Sequence, residues 1–485
     1  MAPSKPGPFR RRHKRKAPQA NNLPVTPAMR ITGAGLICFE NTAAVEALPL
    51  FYDSETGKSY GPNGRGGYAR LKDSYASAMV AEHGFNRSFK DAQGNTEAER
   101  AMLWLMQNRS VEYAGPVAGY PAGCHEVEGR RFLVTEAPRT IQPVPGDWPT
   151  IRRLVETMLA DEKHDQTSVF YTWAAESYGA FWQRMTQPGP WPFRHCPALG
   201  VFGPRHCGKT ALIDLVLAPL FGGRKGDPMN FLKDARFNKD LFGAALLVLD
   251  DKGASASLAE RRQRGEGIKD LLWKPEQRME GKGADALMLS PFRRLVIAGN
   301  DDEAGLQVCP ALSPSLDDKL LLLRARQAEG LPHTKDENDA WAGAIRHELP
   351  AFSDFLLGYR PSADLPLDPR THVVSFQHPD LVAGLREMQP ETKLLEMIDC
   401  LGLIGNDAPL WEGTATQFQT ELKAKDPERI LDRVFVHATS AGRMLSELAR
   451  IAPARIERKN WNGTTHYRIF PRKQVAQGRE DLPPV

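Results

Sequence analysis

Ala198-Leu-Gly-Val-Phe202, running directly into Gly203-Pro-Arg-His-Cys-Gly208-Lys209-Thr210, decides how this chain is built. The first five residues form an apolar run of the kind that makes a strand buried on both faces of a parallel sheet. The next eight match G-x-x-x-x-G-K-[ST], a glycine-rich loop whose backbone N–H groups wrap phosphates. Leu212, Ile213, Leu215, Val216 and Leu220 then fall on one side of a helix that Gly222-Gly223 stops. The start of such a helix attracts anions, because its first N–H groups are unpaired and its dipole is positive there. The order strand, loop, helix predicts a nucleotide site made of Gly203, Pro204, Arg205, His206, Cys207, Gly208, Lys209 and Thr210. In it Lys209 reaches the β and γ phosphates and the Thr210 hydroxyl binds Mg²⁺, so ATP and Mg²⁺ are the expected cofactors.

A phosphate loop needs a carboxylate about one strand–helix–strand unit downstream, and Leu246-Leu-Val-Leu249-Asp250-Asp251 supplies it. Four apolar residues end in two acids at the carboxyl end of a strand, where α/β sites lie. Asp250 is expected to hold Mg²⁺ through water, and Asp251 to orient or deprotonate the attacking water. A third buried strand, Arg294-Leu-Val-Ile-Ala298-Gly299-Asn300, ends in an amide. Asn300 reads as a γ-phosphate sensor in this order and spacing, although Asn after Gly is by itself a common turn signal.

At 485 residues the chain has room for about three domains. Apolar residues at 41% and charged residues at 25% predict mainly globular structure. No apolar run approaches the roughly 20 residues that cross a bilayer, and the basic N-terminus has no apolar segment behind it, so neither membrane nor secretory signal is expected. The six cysteines (Cys38, Cys124, Cys196, Cys207, Cys309 and Cys400) include no Cys-x-x-Cys pair. That spacing argues against structural zinc and a disulfide framework and predicts a reducing compartment. Seven of the positive charges fall within residues 1–17; taking them from the net +4 leaves −3 for the remainder. Nucleic-acid contact by the folded body would therefore be local, and the arm reads equally as a phosphate tether or a solvated tail.

The predicted organisation is a disordered basic arm (1–30), a small α/β unit (31–145), a helical collar (146–198), an ATPase core (199–358), a Pro-rich linker (359–389), a C-terminal module (390–472) and a tail (473–485). In the small unit, 52–68 has the Gly, Asn and Pro density of a hairpin, Ser74 is placed to cap a helix through Glu82, and 131–135 reads as a strand. In the C-terminal module three helices, the third capped by Thr439 or Ser440, precede two strands flanking Asn460-Trp-Asn462-Gly463, an Asn-Gly hairpin signal. Three helices and a two-stranded wing make a winged helix, in which Arg443, Arg458, Lys459 and Arg468 are candidates to face DNA phosphates. The alternative for such a module is a protein docking surface. Overall the fold class is α/β, a P-loop ATPase core between two smaller modules.

The three strand endings resemble superfamily 3 helicases, the compact AAA+ ATPases of viral, phage and plasmid replication. The segment between acids and sensor adds to this: Ile268 to Trp273 reads as a helix, and 276–290 as a hairpin. In that family a hairpin at this place carries a lysine into a central pore to grip DNA, and Lys282, 18 residues before Asn300, stands at the matching position. The likeness is greatest to the helicase part of phage and mobile-element primase–helicases and extends over 146–472, taking in Phe237-Asn238 and Asp318-Lys319. The resemblance implies an ATP-dependent, ring-forming DNA helicase, a homo-oligomer (hexamer) with single-stranded DNA in its pore, duplex at the winged helix and a separate primase as a possible partner. It places the protein in the cytoplasm of a bacterial host or phage-infected cell. In one respect the chain departs from the family, which puts an arginine finger where Lys319 stands; Arg324 and Arg326 follow, so the trans-acting cation is open among the three. Residues 31–145 are short for a primase and lack a fitting pair of acids with a histidine, leaving oligomerisation or origin binding. The competing classes are a non-translocating initiator or defence-type switch ATPase, and a small-molecule kinase.

Overall fold

The computed structural model describes residues 29–31, 37–39, 42–127, 129–187, 189, 191–232, 238–250, 257–280, 286–404, 410–427, 429, 431–435, 439–461 and 463–471. They divide into two compact units. One takes in the described residues up to Gly115 with Ala122–Glu136; the other takes in Pro116–Pro121 and everything from Ala137 onward.

In the first unit, strands Phe51–Asp53, Lys58–Pro62 and Tyr68–Arg70 pair antiparallel, with Ser110–Val111 added parallel to the first. A second sheet sets Arg130–Val134 between Tyr113–Gly115 and Gly123–Val127. Helices Asp73–Glu82 and Glu97–Asn108 cover a core of Val45, Leu48, Leu50, Val80, Phe85, Trp104 and Leu105. The first helix starts one residue before Ser74: Lys72 is its N-cap, without a side-chain bond, and Asp73 supplies the acid for its first turn. The second helix has the stronger start, a reciprocal capping box between Thr96 and Glu99.

The larger unit is built on five parallel strands, β1 (Ala198–Phe202), β2 (Lys225–Gly226), β3 (Leu246–Asp250), β4 (Arg294–Gly299) and β5 (Leu320–Arg324), in the spatial order 2-3-4-1-5. Period-two alternation sorts their side chains to two cores. Leu199, Val201, Val296, Leu321 and Leu323 face one cluster, packed by helices α1 (Pro149–Met158) and α2 (Gln166–Thr186) and the phosphate-loop helix. Ala198, Phe202, Leu247, Leu249, Leu295, Ile297, Leu320 and Leu322 face the other, packed by α3 (Leu258–Trp273). A sheet covered on both faces has no polar side, which is why β1 and β4 are buried along their whole length. Helix α4 (Lys335–Gly358) closes the first layer with Ile345, Leu349 and Phe352 and opens on a Thr334–Glu337 capping box. Between α3 and β4 an antiparallel pair, Gln277–Met279 with Leu287–Leu289, forms the expected hairpin stem.

Beyond helix α5 (Pro379–Glu387), α6 (Pro390–Cys400), α7 (Ala415–Ala424) and α8 (Ser440–Ile451) enclose Leu394, Ile398, Phe418, Leu422, Leu445 and Leu448. They pack on three antiparallel strands rather than two: β6 (Trp411–Thr414) flanks β8 (Thr464–Ile469), whose other neighbour is β7 (Ile456–Trp461). Thr414 ends β6 and caps α7, bonding Gln417 N, so one residue stops the strand and starts the helix.

Leu322 is fully buried between β1 and the second core. Leu322→Ala should cost about 2–5 kcal/mol, measured as an earlier urea midpoint for the larger unit with the first unit's transition unmoved.

Candidate active site

Register brings the three strand endings together. Phe202 of β1 lies opposite Gly299 of β4, and Asp250 of β3 opposite Ala298. The phosphate loop leaves β1 at that point, so Arg205, His206, Lys209 and Thr210 share with Asp250, Ala298, Gly299 and Asn300 the walls of an open cleft of about 570 Å³. Of the acids read from the sequence Asp250 is therefore in place; Asp251 lies outside the described residues, as does Lys282.

The loop's shape is set by backbone. Gly208 has φ +110° and His206 has φ +60°, a left-handed conformation that costs a non-glycine residue roughly 1–2 kcal/mol. Three hydrogen bonds from the chain after β5 hold it: Ala325 N to Phe202 O at 2.6 Å, Ala328 N to Cys207 O at 3.2 Å and Gln327 Nε2 to His206 O at 3.2 Å. A Cβ on Gly203 would stand 2.2 Å from the Ala325 carbonyl oxygen, so only glycine lets the two segments meet. Gln166, buried at the start of α2, completes the frame by donating to Arg324 O at 3.0 Å and accepting from Arg324 N at 2.7 Å.

Lys209 is folded back on its own loop. Its ammonium donates to Gly203 O at 2.7 Å and Pro204 O at 2.8 Å and lies 3.6 Å from Cys207 Sγ. Thr210 is exposed at the helix start. The helical run 209–220 is π-wound over Leu212–Leu217. At β4's end Asp302 caps the short helix Glu303–Leu306 through Gly305 N at 2.7 Å. A Cβ on Gly305 would meet Asn300 N and O at 2.5 Å, so this glycine fixes the path of the amide-bearing turn.

A second cleft of about 290 Å³ opens across the loop, walled by Leu331, Pro332, Asn338 and Trp341 and sharing His206, Lys209 and Thr210 with the first. These residues carry no local motif and were not legible beforehand.

The basic residues after the sensor part company. Lys319 is tied to Asp318 at 2.6 Å and lies 4.5 Å from the face of Trp273, against which His195 stacks at 4.6 Å. Burial opposes it, but hydrogen bonds from Lys319 and Arg370 hold the Asp318 carboxyl below the usual range. Burial, with Arg370 and Lys319 alongside, pushes the His195 imidazole down, so the stack is with a neutral ring. Arg324 pairs with Asp301 and Asp380. Arg326 is exposed; its backbone N–H donates to Met158 O, and its guanidinium has no partner among the described residues. In the C-terminal module Arg443, Arg458 and Lys459 are exposed. Arg468 instead bonds Glu412 on the adjacent strand at 2.9 Å and is half-buried, so its charge is already paired.

Residues 201–309 match a family model described as "Family of unknown function (DUF5906)". No curated protein matches the chain. Among solved structures, the apo structure of the NrS-1 C-terminal region (305-718) is similar in fold, with 14% identity over 89% of this chain and 97% of that one and a TM-score of 0.50. A second form of that region gives 14%, 89%, 98% and 0.49. JCV helicase with a bound acetamide compound gives 13% identity over 49% of this chain and 67% of that one, at a TM-score of 0.23, too slight a likeness to carry an argument. No helix among the described residues is long and apolar enough to cross a membrane.

Gly305→Ala should displace the Asn300 turn while leaving the sheet intact. The expected result is faster amide exchange from Gly305 to Cys309 and unchanged protection in β1 and β4; equal protection throughout would refute the close-approach argument.

Proposed function

We propose that the larger unit is an ATP-hydrolysing motor core of the superfamily 3, AAA+ kind, acting on DNA as a ring-forming, hexameric helicase in phage or mobile-element replication. The observation that supports it most is the convergence of phosphate loop, Asp250 and Asn300 on one cleft at the carboxyl ends of adjacent parallel strands. In this reading Lys209 leaves the Gly203 and Pro204 carbonyls to meet the β and γ phosphates, and the N–H groups of 203–210 wrap them. The Thr210 hydroxyl and the Asp250 carboxylate line the same cleft and form an oxygen donor set of the kind Mg²⁺ takes. Bound there, the metal would neutralise charge developing on the phosphates. Asn300 reads the γ-phosphate, Asp251 prepares the water, and the base rests in the second cleft against Trp341.

The remaining roles are assigned on the same reading. Lys282 grips the DNA backbone in the pore, the C-terminal module is a winged helix that meets duplex through Arg443, Arg458 and Lys459, and Arg326, the one of the three cations unpaired among the described residues, reaches the neighbouring subunit's nucleotide. A separate primase completes the system, and the site of action is the cytoplasm of the host cell.

Lys209→Ala should lower ATP hydrolysis at least ~10-fold while leaving the melting temperature near wild type, because among the described residues its ammonium bonds loop carbonyls and one thiol. Turnover retained at the wild-type rate would sink the phosphate-loop assignment. Lys282→Ala should keep basal ATPase and lose DNA-stimulated ATPase and strand displacement together; a variant that unwinds as well as wild type would favour a non-translocating initiator or switch.

A further inference from the structure

β7 and β8 run as a two-stranded ribbon to a turn at Gly463, whose φ is +78°. Their register sets Ile456 opposite Ile469, Arg458 opposite Tyr467, Lys459 opposite His466 and Trp461 opposite Thr464. Ile456, Ile469 and Tyr467 are buried, and the Tyr467 hydroxyl donates to Gly442 O of α8 at 3.0 Å. That face of the ribbon packs on the helices. The other face, carrying Lys459, Trp461, Thr464 and His466, points away from them.

Trp461 at its tip is 66% exposed. Its one ring neighbour among the described residues is His466, 5.9 Å away and tilted by 58°. The indole leaves an open ring face at the turn, and an aromatic face is a platform on which a base can stack. The charge around it selects the partner. From Arg458 to His466 the sequence contains two cations and no acid. The acids of this sheet, Glu412 and Glu457, lie toward its base, where Arg468 answers Glu412 at 2.9 Å. A cationic, acid-free tip bearing an open aromatic face has the two elements of single-strand recognition, a site for a phosphate and a platform for a base.

We propose that Trp461 stacks on an unpaired base of single-stranded nucleic acid, with Lys459 on the adjoining phosphate. A continuous duplex hides its base faces in the stack, so the occupant is a single strand or a frayed duplex end. This rests on the nucleic-acid reading above but assigns a residue and a contact that the phosphate-facing cations do not supply.

The test compares a dye-labelled oligothymidylate with an abasic oligonucleotide of equal length, which has the same phosphates and no bases, by anisotropy on the full chain. Wild type should bind the base-bearing strand about tenfold more tightly than the abasic one. Trp461→Ala should bring the first down to the second, and Trp461→Phe should restore most of the difference. Lys459→Ala should weaken both strands alike and flatten the salt dependence. If Trp461→Ala keeps the preference for bases, or wild type has none, the stacking site is wrong even where ATPase is DNA-stimulated. Loss of DNA stimulation in wild type would count against the motor reading separately.

Discussion

Backbone against backbone at Gly203 governs the active-site end of the larger unit. The phosphate loop must leave β1 while the chain beyond β5 passes close enough for Ala325 N to donate to Phe202 O at 2.6 Å. A side chain at 203 would stand 2.2 Å from the Ala325 carbonyl oxygen, a separation that cannot relax without parting β1 from β5. From that contact the rest follows in sequence. The segment 325–328 is brought alongside the loop, Gln327 and Ala328 take the carbonyls of His206 and Cys207, and His206 is held in a conformation it would not adopt alone. Strain in the loop is thus balanced by a neighbour more than a hundred residues along the chain.

The same carbonyls explain the position of Lys209. An ammonium at a helix start faces a positive dipole, so without an anion it is better solvated by turning back to Gly203 O and Pro204 O. A triphosphate changes that balance, because it offers full negative charge to the same group. The brace holds the loop through its carbonyls, those of Phe202, His206 and Cys207.

What was legible in the sequence was what is local. The loop at 203–210, the acid that ends β3 and the amide after β4 each sit at the strand that positions them, and buried parallel strands advertise themselves as unbroken apolar runs. The second-cleft residues Leu331, Pro332, Asn338 and Trp341, the Gln166 clamp and the 325–328 brace were not legible, because each acts through a partner far away in sequence and none carries a motif. Ser74 shows a different limit: a good capping residue lost to Lys72 because Asp73 supplied the first-turn acid. Arg468 shows a third. It reads as a surface cation on a wing, yet β6, a four-residue strand without a strong pattern, pairs beside it and brings Glu412 within 2.9 Å.

The cations after the sensor illustrate why position along a strand is a poor guide to role. Lys319 directly precedes β5 and Arg324 ends it, so the two stand at opposite ends of that strand. Lys319 is enclosed by Asp318, Trp273 and Arg370, and moving it would expose a carboxylate held below its usual range and break a cation–aromatic contact. Arg324 already answers two carboxylates, Asp301 on the turn after β4 and Asp380 at the start of α5. Bringing either to another charge means undoing an existing charge pair first. Arg326 has no such tie among the described residues, and its main chain is pinned to Met158 O within the segment that braces the phosphate loop. A cation that is free at its tip and fixed at its root can respond to an outside charge without disturbing the sheet. Of the three cations, Arg326 is therefore the one whose backbone is fixed beside residues 203–210 while its side chain stays unpaired among the described residues.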